Sequence, residues 1–361
     1  MKGVRKMRIA FYPEVQLHTS KRNIYTEKIQ EILSEIGKII PAENLIKNPI
    51  NLFKTDILYL NWFENIFFNK NSLILSKMEC FIKLLFLRIC KLFHIKIIVS
   101  FHNKVPHSFK KNSEIYEKVF KKFFIKYLNI ADAIVVLNHY SIDYLVNEFN
   151  CKKNKIYYIP HGNYINLYKD YELIKNNSVI NVGYVGRIDK YKHVLELVRS
   201  FGKINTNKLH LIIEGAVNDP EYKRKITEAM PVNSFYKFDD IEDDELIKKL
   251  KQLDVIILPY DSNEALNSGL VYLAMSYKIV VASTEIGCVK DLPDNLYFKI
   301  NCKDVNNSNL LEESLLNCLL NILNQSSGIQ TMKNQAYDYV SNYHDWMLVK
   351  ERLHQMLEEI K

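Results

Sequence analysis

Short apolar runs alternate with longer amphipathic stretches along most of this chain. The runs at 8–12, 57–60, 97–101, 133–137 and 156–159 have the length and the β-branched and aromatic content of buried strands. Between them, apolar positions recur at three- and four-residue spacing over 25–36, 72–93, 112–128 and 140–149, which predicts helices. Strands that are apolar on both faces and separated by helices predict a parallel, doubly wound sheet. A polar, tyrosine-rich stretch at 164–178 reads as a linker, and the same alternation then resumes from 179 to about 338. The pattern predicts an α/β protein with an N-terminal domain over 1–165, a C-terminal domain over 179–339 and a closing helix over 340–361, where Trp346 serves as a packing anchor. A length of 361 residues suits two such domains.

Composition narrows the classes. The chain is 48% hydrophobic and 25% charged, ordinary for globular material. Its six cysteines (Cys80, Cys90, Cys151, Cys288, Cys302 and Cys318) show no C-x-x-C spacing. Neither a disulfide framework nor a zinc site is expected, and no other metal site is suggested. No apolar leader precedes MRIAFYP, so a reduced, cytoplasmic setting is expected. The net charge of +8 asks for an anionic partner. Two stretches, 77–97 (KMECFIKLLFLRICKLFHIKI) and 110–127 (KKNSEIYEKVFKKFFIKY), interleave cations with bulky apolar residues. They read as helices with a basic and an apolar side, the composition of a surface that docks on anionic lipid at the inner face of a membrane. The other reading packs those apolar sides on the N-terminal sheet and lets the lysines snorkel. No run reaches the ~18 apolar residues of a spanning helix. No nucleic-acid-binding module is present, so no nucleic acid partner is expected.

Two segments carry chemistry. In 182–192, VGYVGRIDKYK, a strand leads through Gly186 into a helical pattern, with Arg187 and Lys192 five residues apart at the junction. Glycine lets the backbone turn sharply and approach a ligand, and a helix start adds unpaired N–H groups and partial positive charge. Arg187 contributes a planar cationic fork and Lys192 a mobile point charge, an arrangement suited to a diphosphate. Two solvated cations on an ordinary βα loop would look the same. In 254–283, DVIILPYDSNEALNSGLVYLAMSYKIVVAS, a buried strand ends at Pro259, a polar loop carries Glu264, and Asn267, Ser268 and Gly269 open a helix before the next strand. This second helix start points from the carboxyl end of a parallel strand, where ligands bind in open α/β sheets. No G-x-G-x-x-G follows the first strand, which disfavours a Rossmann dehydrogenase.

These two segments resemble the donor-binding half of retaining glycosyltransferases of family 4, which have the GT-B fold: two Rossmann-like doubly wound domains facing across a cleft. The family's usual forms are a G-R-x4-K loop and an E-x7-E segment running into an "EAM…G.PVVAS" helix and strand. Further ordered similarities are "IYYIPHGNY" before the crossover, "LIIEGAVND", "FDDIEDDELIKKLKQLDVIILP", and "YHDWMLVKERLHQML", which resembles the helix that returns to the first domain. The chain departs from the family at the second glutamate, where Tyr272 or Leu273 stands according to the anchoring chosen. It is more similar to a branch reading "LPY…SG…" with an incomplete glutamate pair. Glu214, Asp239 or Asp240 are then the candidate replacements for the ribose contact.

The resemblance implies a catalytic set of His102, Arg187, Lys192 and Glu264. It implies a donor site of Gly186, Arg187, Lys192, Glu214, Glu264, Asn267, Ser268 and Gly269. For the acceptor it implies Asn23 and Tyr25 at a helix start, Trp62 after a strand, and His102 with Asn103 in "VSFHNKVPH". His161, in "IPHG", lies near the crossover, where Gly162 permits the turn. The expected substrates are a nucleotide sugar, UDP-linked by default, and a saccharide or polyprenyl-linked saccharide. The expected reaction is retaining hexosyl transfer for capsule, O-antigen or a related polymer, without a cofactor, with domain closure excluding water. A GT-B sugar-nucleotide epimerase and a catalytically silent GT-B scaffold are the alternatives, the latter motivated by the missing glutamate.

Overall fold

The computed structural model describes residues 6–14, 23–63, 72–104, 114–173 and 178–361, with the side chains of 114–117 outside that description. The chain divides into two compact units, Met1–His161 with Met347–Lys361, and Gly162–Trp346.

The first unit runs β1 (Met7–Tyr12), α1 (Ile24–Ile36), β2 (Gly37–Pro41), α2 (Asn44–Lys47), β3 (Ile57–Asn61), α3 (Leu73–Leu92), β4 (Lys96–Phe101), α4 (Glu114–Ile130), β5 (Ala133–Val136), α5 (Tyr140–Phe149) and β6 (Ile156–Tyr158), and is completed by α13 (Trp346–Ile360). Among the described residues its sheet has the order β2-β1-β3-β4-β5-β6, all parallel, so the strand order reverses at β1/β3. The second unit runs β7 (Ile180–Val185), α6 (Val194–Gly202), β8 (Leu209–Glu214), α7 (Pro220–Ala229), β9 (Ser234–Lys237), α8 (Asp243–Leu250), β10 (Val255–Leu258), α9 (Gly269–Ser276), β11 (Val280–Ser283), α10 (Gly287–Lys290), β12 (Tyr297–Lys299), α11 (Ser308–Asn324) and α12 (Ile329–Tyr343). Its sheet, again parallel, has the order β12-β11-β10-β7-β8-β9 and reverses at β7/β10.

Both sheets are α/β layers with buried apolar strands, as the pattern predicts; Ile57 to Leu60 and Val255 to Leu258 are at most 3% exposed. Aspartates just ahead of a strand close the amino edge. Asp56 accepts from the Arg8 N–H at 2.8 Å, Asp132 from Ile97 N–H at 2.8 Å and Asp254 from Asn181 N–H at 2.9 Å. The carboxyl edges are thereby left to carry the loops that bear chemistry.

The structure corrects several sequence expectations. β2 was not anticipated, because five residues ending in proline are too few to show a period. The tyrosine-rich stretch read as a linker packs on the second core through Tyr164, Ile165, Tyr168 and Tyr171. The closing segment is two helices, broken at His344 and Asp345. Gly162 does not serve a left-handed turn. A Cβ there would sit 2.3 Å from the Trp346 indole, so its missing side chain makes room for that ring. The same indole donates from Nε1 to the Asn163 carbonyl at 2.8 Å, and the Asn163 N–H donates to the His344 carbonyl at 2.7 Å. In α4 the aromatic side is core, since Phe120, Phe123, Phe124 and Tyr127 are buried, while Lys118, Lys121, Lys122 and Lys126 face outward. The basic residues at 110–113 lie outside the described residues.

Candidate active site

The second sheet turns its chemistry outward at the β7/β10 reversal. β7 is followed by Gly186 at φ +133°, and β8 ends in Glu214 followed by Gly215 at φ +139°. A Cβ on Gly215 would lie 1.9 Å from the Gly186 carbonyl oxygen, so two glycines allow these strand ends to touch. Gly186 N–H donates to the Glu214 carbonyl at 3.0 Å, which holds the β7 loop in place. Arg187 follows with its side chain 68% exposed and Nε 3.2 Å from Asp189 Oδ2. The expected helix start is delayed: Lys190–Lys192 form a 3-10 turn and His193 takes a left-handed conformation before α6 begins.

Lys192 is not the mobile charge the sequence suggests. Its Nζ donates to Tyr260 OH at 3.3 Å and lies 4.5 Å from the Tyr260 ring centre, 4.9 Å from Tyr191 and 6.0 Å from Tyr184. Burial works against the ammonium, but the three tyrosines around it prevail and hold its pKa well above the ordinary lysine value. Tyr184 in turn donates to the Arg187 carbonyl at 3.0 Å, tying the cage to the arginine loop. His193 is pushed below its ordinary value by burial, against the opposing pull of Glu196, Asp261 and Glu264.

From β10, Tyr260 and Asp261 lead into the loop of Glu264. Asp261 is 5% exposed; its Oδ1 accepts from the Asn263 N–H at 2.8 Å and its Oδ2 from Asn306 at 3.0 Å. Glu264 and Asn267 are half-buried, and Ser268 precedes Gly269 at the start of α9 without its side chain capping the helix. Tyr272 and Leu273, which stand where the second glutamate would, are buried; the Tyr272 ring packs on His344. Glu214 is 2% exposed and ion-paired at 2.5 Å through Oε2 with Lys249, while Oε1 is buried with no hydrogen-bond partner among the described residues. Asp239 is exposed and paired with Lys237 at 3.1 Å, and Asp240 is exposed.

The first unit gathers a second cluster at its own carboxyl edge. His102, after β4, is 4% exposed and its Nε2 lies 3.2 Å from Asn61 Oδ1 at the end of β3. Asn61 Nδ2 donates to the Tyr12 carbonyl at 3.1 Å, which leaves the amide oxygen toward the imidazole and makes Nε2 the donor. Trp62 stacks on His102 with centroids 4.2 Å apart and has φ 49°, a strained conformation for a bulky residue. Tyr25 meets His102 edge-on at 5.6 Å and stacks on His161 at 4.9 Å. Asn23 is the cap of α1, its oxygen accepting from Thr26 N–H at 3.2 Å. Asn103 is half-buried beside His102 in the chain, and the remainder of that stretch, 105–113, lies outside the described residues.

Sequence reasoning missed Tyr184, Tyr260, His193 and Asp261 on the second unit, and Asn61 on the first. Tyr184 was in view only as a strand residue, and Asn61 stands just past the predicted strand 57–60. A phenol or amide at a strand's last positions, next to the predicted ligand loop, was the available signal.

Two parallel α/β units, each with polar groups gathered at the carboxyl ends of its strands, are the architecture of the GT-B class. The family comparisons agree: residues 74–163 match Glycosyltransferase Family 4 and residues 170–325 match Glycosyl transferases group 1. The protein is a glycosyltransferase of the GT-B fold. Among curated protein sequences none matches the chain. Its fold is similar to sucrose-phosphate synthase from Thermosynechococcus elongatus, with TM-score 0.70 and 15% identity over 98% of this chain and 99% of that one. It is also similar to a glycosyltransferase from Rickettsia africae, with TM-score 0.63, 14% identity and 99% and 98% coverage. The Anabaena protein HepE, solved with UDP and glucose, gives TM-score 0.66, 11% identity and 98% and 100% coverage.

Proposed function

We propose that the protein transfers a hexose from a UDP-sugar, with retention, to a saccharide carried on a polyprenyl lipid at the inner face of a bacterial membrane, in making capsule, O-antigen or a related surface polysaccharide. The observation that carries the donor chemistry is Lys192, an ammonium fixed by three tyrosines at the β7/β10 reversal, one loop from the exposed Arg187. UDP is supported by the Anabaena neighbour, which has been solved with UDP-glucose. Retention and the acceptor rest on the resemblance to family 4.

Cleavage of the bond between the anomeric carbon and the diphosphate leaves the electron pair on a phosphate oxygen. A cation already held in place stabilises that charge without reorganising. Lys192 supplies it, Arg187 leaves Asp189 to grip the diphosphate, and the first N–H groups of α9 add theirs. Glu264 orients sugar hydroxyls. Glu214 takes the ribose through Oε1, the oxygen that Lys249 does not use. On the first unit, the resemblance to family 4 gives His102 a role toward the sugar, and Trp62 and Tyr25 offer faces on which sugar rings stack.

Thermal shift with UDP, GDP, dTDP and ADP tests the donor site. UDP at about 100 times its Kd should stabilise the protein by roughly 2.7 kcal/mol. Arg187→Ala should abolish the response, and Lys192→Met should lower the transfer rate by ~10²–10³. A response to another nucleotide would replace UDP, and none at all would favour the silent scaffold.

A further inference from the structure

In α3 the two sides of the helix are both apolar. Ser76, Cys80, Leu84, Leu87 and Cys90 are buried against the unit. On the opposite side Ile74, Met78, Phe81, Leu85 and Leu92 follow at spacings of four, three, four and seven, which keeps them on one face, and Ile82 flanks them. These six side chains are between 44% and 77% exposed. A soluble helix normally turns such a row inward.

The exposed charges of α3 are of one sign, its carboxylate Glu79 being half-buried. The other exposed positions of α3 include Lys77 and Arg88, and none of its exposed positions is a carboxylate. Because β3, β4 and β5 are consecutive neighbours joined by crossovers of one hand, α3 and α4 cover the same side of the sheet and pack together. The outward lysines of α4, among them Lys118, Lys122 and Lys126, therefore belong to the same side of the unit. α3 has 20 residues, enough to span a bilayer by length, but its charges forbid that, and no helix among the described residues is long and apolar enough to cross.

We infer that the outer face of α3 is a membrane-docking surface: its apolar row enters the headgroup boundary of an anionic bilayer, and the cations of α3 and α4 rest on the lipid phosphates. The combination of apolar penetration and basic attraction is what a helix lying in the interface plane requires, and the excess of cations selects anionic lipid over another apolar surface. This gives the membrane contact in the proposed function a seat, and it is tested without nucleotide or sugar, so its failure and that of the transfer reading are separable.

The full chain is sedimented with vesicles of phosphatidylcholine alone and of phosphatidylcholine with phosphatidylglycerol. Binding is expected only to the anionic vesicles. Substituting Phe81, Ile82 and Leu85 together by serine should abolish it. Lys77→Ser with Arg88→Ser should weaken it on the order of twentyfold or more, at about fivefold per cation. Val232→Ser, an exposed apolar position of the other unit, should change nothing. Melting temperatures verify that the variants fold, with Phe81→Ser alone replacing the triple change if that one does not. Three results overturn the inference: no binding to anionic vesicles, equal binding by the α3 variants, or a wild-type dimer in solution that the α3 changes dissociate.

Discussion

At the scale of single residues, the site is set by what surrounds each charge. His193 is held in a left-handed conformation at φ 54°, with burial keeping its pKa below 6.5. The unfolded chain therefore takes up the proton first, so stability is complete above pH 6.5 and declines as the pH drops from there toward the lower folded value. Asparagine tolerates the same backbone and does not titrate. His193→Asn is expected to flatten this acid limb when melting temperature is followed from pH 8 to pH 5; an unchanged limb would assign it to the carboxylates instead. The loop positions of Arg187, Lys192, Glu264 and Ser268 were legible in the sequence because turn chemistry and spacing are local. The cage was not, since Tyr260 lies 68 positions from Lys192 and only the pairing of β7 with β10 brings them together. The buried Glu214–Lys249 pair was hidden for the same reason, Lys249 being 35 positions away on α8.

Strands and helices were the most legible level, since burial on both faces writes itself as continuous apolar runs. The failures were short or interrupted: β2, and the break between α12 and α13. Amphipathicity also identified two helices without telling which apolar residues face in: α4 buries its apolar side, whereas α3 has apolar residues on both its buried and its exposed sides. At this scale the contact of the β7 and β8 ends makes a sharp prediction. Gly215→Ala places a methyl against the Gly186 carbonyl at a φ that L-residues avoid. It should cost about 2 kcal/mol or more in urea unfolding, and it should weaken the UDP response by displacing the Arg187 loop. Unaltered nucleotide binding in a destabilised variant would show that the loop holds its position without that contact.

For the whole molecule, the first unit is not one stretch of chain, whereas the second is. The polypeptide leaves the first unit after His161 and rejoins it at Met347. In α13, Val349, Leu353, Met356 and Leu357 are at most 1% exposed, and Arg352 donates to the Tyr158 carbonyl at 3.1 Å while lying over its ring. Burying four such side chains contributes on the order of 6–12 kcal/mol, comparable to the net stability of a domain. A chain ended at Trp346 is thus expected to retain a cooperative unfolding transition from residues 162–346 and to lose that of the first sheet, as read by calorimetry; two intact transitions would show α13 to be dispensable. The doubled passage also imposes an order of events on synthesis. The first sheet emerges from the ribosome early but lacks its last helix until residues 347–360 follow, whereas the second unit is complete as soon as Trp346 is free. The half that is translated second is therefore the first able to finish folding, and the earlier half must be kept from aggregating in the meantime.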